Sequence, residues 1–209
     1  MRLKKFKIFD FFYRAFHAWP KFYEGITQLF SFGQWERWED RVFEDIVGKK
    51  VLEIGVGPGK LLLKLAKKGY TVTGIELREG MAYEARRRVK KAGLDIDIIQ
   101  QPVYKMPFQN ESFDTIVLTF CLAEIDRLDA AIIEMKRVLK KGGKVIVIAG
   151  GMPQDRNWVA KVLFRMVSFQ TTLYLERDNK SAFEKHGFSV TRTDFGPFNI
   201  VHKIVAFKP

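Results

Sequence analysis

Val51-Leu52-Glu53-Ile54-Gly55-Val56-Gly57-Pro58-Gly59-Lys60 is an apolar run that enters a glycine-rich turn and leaves it in a stretch rich in Leu and Lys. The order predicts a strand, a tight turn and a helix. Glycine permits backbone torsions that a β-carbon forbids, and it lets a ligand rest on bare main chain where the strand ends. A strand-to-helix turn with no ligand would use the same residues, so the segment acquires meaning from the next strand of the chain. That apolar run, Thr71-Val72-Thr73-Gly74-Ile75, ends in Glu76, an acid placed to accept both ribose hydroxyls of an adenosine-containing ligand. A dinucleotide is the competing ligand, but its G-x-G-x-x-G fingerprint needs a third glycine where Lys60 stands.

From Gly48 onward, short β-rich runs alternate with amphipathic charged stretches. Strands are predicted at 50–54, 71–75, 95–99, 113–118, 144–149, 188–194 and 200–207, with helices at 59–68, 79–92 and 128–140. Parallel strands require crossover connections, and helices in those crossovers cover both sheet faces. The fold class is therefore α/β, a Rossmann-like doubly wound seven-stranded sheet. The short link at Gly196-Pro197-Phe198 permits only antiparallel pairing, so the mostly parallel sheet should end in an antiparallel hairpin. Asp114 and the Gly142-Gly143 pair read as structural, an acid at a strand start and glycines at a helix exit.

Five phrases share one order along the chain: Glu53-x-Gly55-x-Gly57-x-Gly59, Glu76, Met106-Pro107-Phe108, Ser112-Phe113-Asp114 and Leu139-Lys140-Lys141-Gly142-Gly143. Residues 48 to 150 thereby resemble class I S-adenosylmethionine-dependent methyltransferases. The resemblance implies S-adenosyl-L-methionine as methyl donor and S-adenosyl-L-homocysteine as product. It implies a donor site of Glu53, Gly55, Val56, Gly57, Gly59, Glu76, Leu77, Pro102, Val103, Tyr104, Thr119 and Phe120. The glycine loop would support the methionine part, the acid the ribose, and residues after the third and fourth strands the adenine and methyl ends. Relatives carry Asp where this chain has Pro102. The adenine contact must then come from the Val103 backbone, Tyr104 or water, at a cost of about one hydrogen bond, ~0.5 to 1.5 kcal/mol.

Residues 1–47 are expected to form an aromatic, basic helical lead-in to a donor-binding domain at 48–209. Leu3, Phe6, Phe9, Phe12 or Tyr13, and Phe16 recur at helical spacing among Arg2, Lys4, Lys5, Lys7, Arg14 and Lys21, with only Asp10 opposing. Such a helix can lie at an anionic membrane surface or close the site as a lid. Phe22-Tyr23-Glu24 and the phrase from Leu29 to Trp38 resemble the lead-in of quinone-biosynthesis and bacterial-type phospholipid N-methyltransferases, and by that resemblance Tyr23 would close over the donor. An aromatic stretch with Trp158, Val162 and Phe169 after the fifth strand is expected near an acceptor pocket.

The sequence carries 36 Lys and Arg against 24 Asp and Glu, a formal charge of +12, which favours anionic partners without choosing one. The single Cys121 excludes a disulfide framework, and His17, His186 and His202 lack metal-ligand spacing, so no metal is expected. With no apolar run of spanning length, a cytoplasmic protein is expected, peripheral on the inner membrane face if the lead-in binds lipid. The leading reading is methyl transfer to an apolar or lipidic acceptor, a phospholipid amine or quinone-like ring, at that surface. The alternative is a soluble small-molecule acceptor with the lead-in as lid. RNA methylation would use the positive charge but lacks a nucleic-acid-binding module, and Pro102 alone suggests a non-catalytic donor-binding protein. His17, Tyr23, Glu124 and Asp126 are candidate bases by position.

Overall fold

The structure is a computed structural model and describes residues 25, 28, 29, 31–151, 158, 162 and 177–209. Seven strands form one sheet: β1 (Lys50–Ile54), β2 (Thr71–Ile75), β3 (Ile98–Ile99), β4 (Phe113–Thr119), β5 (Leu139–Gly150), β6 (Ser189–Phe195) and β7 (Val201–Phe207), in the order β3-β2-β1-β4-β5-β7-β6. The described helices are α1 (Trp35–Glu39), α2 (Lys60–Lys67), α3 (Glu79–Lys91), α4 (Leu128–Val138) and α5 (Asn179–Lys185). Strands β3, β2, β1, β4 and β5 pair in parallel, whereas β7 pairs antiparallel with both β5 and β6. The doubly wound sheet and its terminal hairpin are thus present.

Side chains alternate across each strand and divide the core into two layers. Leu52 and Ile54 of β1 face Met135 of α4 and Phe183 of α5, whereas Val51 faces the layer of α2, α3 and the α1 region. Trp38 and Val42, on α1 and the 3-10 turn Asp40–Glu44, are buried in that second layer. Lys203 of β7 ties the same turn to the sheet, pairing with Glu44 and, at 2.6 Å, with Asp45.

Strands β1 and β2 have the predicted bounds, and the others depart by short margins except at two places. The third strand, expected over 95–99, forms only at Ile98–Ile99. It is the sheet's edge, and acidic residues at 95 and 97 favour solvation over further pairing. The helix expected to run to 140 ends earlier: α4 stops at Val138 and β5 begins at Leu139, which pairs with Phe113 across a register shift. β5 then runs through Gly142 and Gly143. A β-carbon on Gly143 would stand 2.8 Å from the Asp114 carbonyl oxygen, so this strand crossing requires glycine.

Asp114 has the structural role read from its position. Its Oδ2 accepts the backbone N–H groups of Lys49 (2.9 Å) and Lys50 (2.8 Å), and Oδ1 accepts Lys140 Nζ at 2.6 Å. These bonds anchor the entry to β1, and together they hold the carboxyl below its usual range against the effect of burial.

Candidate functional site

The strand order reverses direction between β1 and β4, and ligands of doubly wound sheets bind at the carboxyl ends beside such a point. A cavity of about 170 Å³ lies there. Its walls come from Ile54, Gly55 and Gly57 at the end of β1, Ile75 to Arg78 at the end of β2, Gln101 to Tyr104 after β3, and Thr119 to Cys121 with Glu124 to Asp126 at the end of β4.

Gly55 leaves β1 at φ +74°, a left-handed conformation that strains any residue with a β-carbon. The space is also closed, since an added β-carbon would meet Cys121 Cβ at 2.6 Å and its sulfur at 2.7 Å. Cys121 in turn donates to the Ile54 carbonyl at 3.1 Å, and burial pushes its thiol well above the usual range, so it is held as an uncharged packing group. Gly59 has a different task. It caps α2 at φ +85°, an added β-carbon would come within 3.0 Å of Ala85 of α3, and it lines neither this cavity nor the smaller recess that adjoins it.

Glu76 is buried at the end of β2, with both carboxylate oxygens engaged. Oε2 accepts the Gly57 N–H and Oε1 accepts the Arg78 N–H, each at 2.9 Å. Burial pushes its pKa upward, and the two N–H groups only partly offset this. A carboxylate so held presents its remaining lone pairs to the cavity, because each oxygen can accept more than one bond. Leu77 is exposed beside it, and Tyr104 carries the Arg127 guanidinium 4.5 Å over its ring.

Of the positions expected to hold a donor, Gly55, Gly57, Glu76, Leu77, Pro102, Val103, Tyr104, Thr119 and Phe120 line this cavity. Glu53 and Val56 line the adjoining recess of about 40 Å³, which shares Gly55, Gly57 and Thr119 with the cavity and is bounded by Trp35 and Glu39 of α1. Glu53 is 1% exposed, and its Oε2 has no hydrogen-bond partner among the described residues. Burial, then the nearby carboxylates of Glu39 and Glu76, push its pKa well above the ordinary carboxyl value. An unpartnered buried acceptor is costly, and this one sits beside the glycine turn.

Two elements bring unpredicted residues to the site. Arg78 pairs with the candidate base Glu124 across the cavity at 2.9 Å, a pairing that becomes visible only when the ends of β2 and β4 are placed together. Trp35 stacks on Phe120 with centroids 3.9 Å apart and donates its indole N–H to Glu39 at 2.9 Å. Phe120 itself has φ +54°, a strained value that its N–H bond to the Ile148 carbonyl at 2.7 Å helps to hold. Asp126 also lines the cavity wall. His17 and Tyr23 lie outside the described residues, as does the basic aromatic repeat before them. Trp158 and Val162, from the stretch after β5, are exposed. Among the described residues no cluster of His, Cys, Asp or Glu could hold a metal ion, and no helix is long and apolar enough to cross a membrane.

Residues 52–147 match the family profile of a methyltransferase domain. A phosphatidylethanolamine N-methyltransferase of Cereibacter sphaeroides is 34% identical over 128 residues, covering 60% of this chain and 62% of that protein. A ubiquinone/menaquinone biosynthesis C-methyltransferase of Shewanella pealeana is 29% identical over 164 residues, covering 75% of this chain and 64% of the relative. The chain therefore spans somewhat less than two thirds of these relatives' length. The crystal structure of a SAM-dependent methyltransferase from Aquifex aeolicus superposes with a TM-score of 0.64 at 22% identity, covering 80% of this chain and 88% of that one, a likeness of fold.

Proposed function

We propose that this protein, whose residues 52–147 match a methyltransferase domain, transfers the methyl group of S-adenosyl-L-methionine to an apolar or lipidic acceptor, a phospholipid amine or a quinone-like ring. The observation that carries the donor assignment is the Glu76 carboxylate, buried between the Gly57 and Arg78 N–H groups at the cavity's edge. The residues fit the donor's parts. Glu76 supplies acceptors for the ribose hydroxyls, and the main chain at Gly55 and Gly57 leaves room for an amino-acid end. The orphaned Glu53 oxygen can accept a hydrogen bond from that end, while Pro102, Val103 and Tyr104 form an apolar wall for adenine.

The donor supplies an electrophilic methyl group on a sulfonium. The chain's own contribution is alignment and exclusion of water, since in-line displacement needs no protein nucleophile. Thr119 and Phe120 line the end of the cavity nearest β4, and the Trp35 stack covers Phe120. Where the acceptor must lose a proton, Glu124 and Asp126 face the cavity, and Arg78 holds Glu124 in place.

The two relatives act, by their names, on a phospholipid and on quinone precursors, and the basic aromatic lead-in suits action at an anionic, cytoplasmic membrane face. In this reading residues 1–47 form the contact or lid, and Tyr23 closes over the donor. Incubation with radiolabelled donor and a total lipid extract tests the acceptor class. Label in the organic phase supports it, and label confined to water-soluble products favours a soluble acceptor with the lead-in as lid. Flotation with anionic liposomes tests membrane contact separately, because a lid alone predicts no binding.

A further inference from the structure

The recess beside the main cavity has two acidic walls of different origin. Glu53 belongs to the strand that opens the methyltransferase domain, whereas Glu39 comes from α1, upstream of residues 52–147. Alternation along β1 turns Glu53 toward the layer that contains Trp38 and Val42, and α1 packs there with Glu39 on the inner side of its short turn. Two carboxyl groups thus face one small space with Gly55 and Gly57 as its floor.

We propose that Glu39 is a second carboxylate of this recess, and that with Glu53 it holds an alkylammonium group, which in the proposed donor assignment is the amino-acid end of S-adenosylmethionine. The inference rests on that assignment for the identity of the cation. It rests on the structure for the site, because Glu53 Oε2 is buried without a hydrogen-bond partner among the described residues and the charges acting on Glu53 are both carboxylates, Glu39 and Glu76. A recess of about 40 Å³ exceeds what one water molecule needs and suits a single ammonium group.

The groups around Glu39 favour a cation at this place. Trp35 Nε1 donates to Glu39 Oε1 at 2.9 Å. Glu36 and Asp40, its neighbours on the same turn, add negative charge. Lys64 of α2 acts on Glu39 through its charge while its ion pairs are with Asp40 (2.8 Å) and Glu36 (3.5 Å); Lys60, which also lines the recess, directs its ammonium to Glu36 at 3.3 Å. Burial pushes the Glu39 carboxyl up to about 7, and that of Glu53 is raised by burial and by Glu39 itself. In the ligand-free protein the recess therefore retains protons near neutrality. A bound ammonium favours the ionised forms, so its entry must expel protons.

Calorimetry of the full-length protein at pH 6.5, in buffers of different ionisation enthalpy, reads this directly. The probes are S-adenosylhomocysteine, which keeps the ammonium, and 5′-methylthioadenosine, which keeps the nucleoside and lacks the amino-acid end. The expected result is proton release with the first and none with the second. In Glu39→Gln, release should fall, S-adenosylhomocysteine affinity should drop by roughly tenfold to a hundredfold, and methylthioadenosine affinity should stay unchanged, which also shows that the variant is folded. Unchanged affinity and proton count in Glu39→Gln overturn the role of Glu39 while leaving the donor assignment standing. Equal release with both probes overturns the ammonium site. Failure of the wild type to bind either probe overturns the donor assignment itself.

Discussion

Replacing Glu76 by glutamine preserves shape and changes one charge, which makes it a close test of how the cleft is built. In the native cleft one oxygen accepts the Gly57 N–H and the other the Arg78 N–H, both at 2.9 Å. Glutamine can offer its oxygen to only one of them and turns its NH₂ toward the other donor. A hydrogen bond to a charged acceptor contributes about 1.5 to 3 kcal/mol, and leaving a buried N–H unmet costs about 1 to 3 kcal/mol. Burial raises the carboxyl's pKa, so removing the charge recovers part of that loss, and the net destabilisation should be about 2 to 3 kcal/mol. For a chain of 209 residues this corresponds to a fall in Tm of roughly 5 to 10 °C. The lost ribose acceptor should weaken S-adenosylhomocysteine binding by roughly a hundredfold as well, measured by titration calorimetry below the variant's Tm. A lowered Tm with unchanged affinity would mean that Glu76 only pins the glycine turn and holds no ribose.

Three further perturbations probe the frame around the site. Gly55→Ala adds a left-handed strain of roughly 1 to 2 kcal/mol and a clash with Cys121 of roughly 1 to 3 kcal/mol, given the 2.6 Å approach. Cys121→Gly should restore only the second part, and strictly additive urea-unfolding energies in the double-mutant cycle would contradict the contact. Glu39 has a pKa raised to about 7 from an ordinary value of 4.5, so its contribution to stability is complete below pH 4.5 and disappears as pH rises through 7. Ligand-free Glu39→Gln should therefore be more stable than wild type at pH 8, by up to about 3 kcal/mol, with the difference vanishing near pH 4.5 in urea titrations. His202 is 2% exposed, neither ring nitrogen has a hydrogen-bond partner among the described residues, and burial, reinforced by the charge of Arg192, lowers its pKa to about 4. Its depressed value means stability is complete above about pH 6.5 and declines toward pH 4, by about 3 kcal/mol, and His202→Leu should flatten that decline.

The sheet was legible because its signals are local. Val51 to Ile54 and Thr71 to Ile75 are apolar runs bounded by glycine or charge, and the structure gives β1 and β2 at those residues. The entry to β5 was harder to read. Leu139-Lys140-Lys141 continues a helical composition, and the change to strand is imposed by pairing with Phe113, a contact that no window of sequence contains. The same distinction separates the site residues. Glu76 and the glycines lie close together along the chain, on neighbouring strand ends, so their relation could be read from spacing. Glu39 sits in Trp35-Glu36-Arg37-Trp38-Glu39-Asp40, where an acid looks like any solvated helix residue, and only the packing of α1 against β1 brings it to Glu53. The Arg78–Glu124 pair likewise joins two strand ends separated in the chain. Gly59 stands in the turn by spacing; its φ of +85° and the 3.0 Å approach an added β-carbon would make to Ala85 fit the cap of α2, and it does not line the cavity.

In the proposed reading an adenosyl group lies across the carboxyl ends of β1 and β2. A crystal structure of the protein grown with S-adenosylhomocysteine measures this most directly. The ribose hydroxyls should lie within hydrogen-bond distance of Glu76, adenine against Val103 and Tyr104, and the amino-acid end over Gly55 and Gly57 in the recess of Glu39 and Glu53. Nucleoside density elsewhere on the sheet, with this cleft left to solvent, would contradict it.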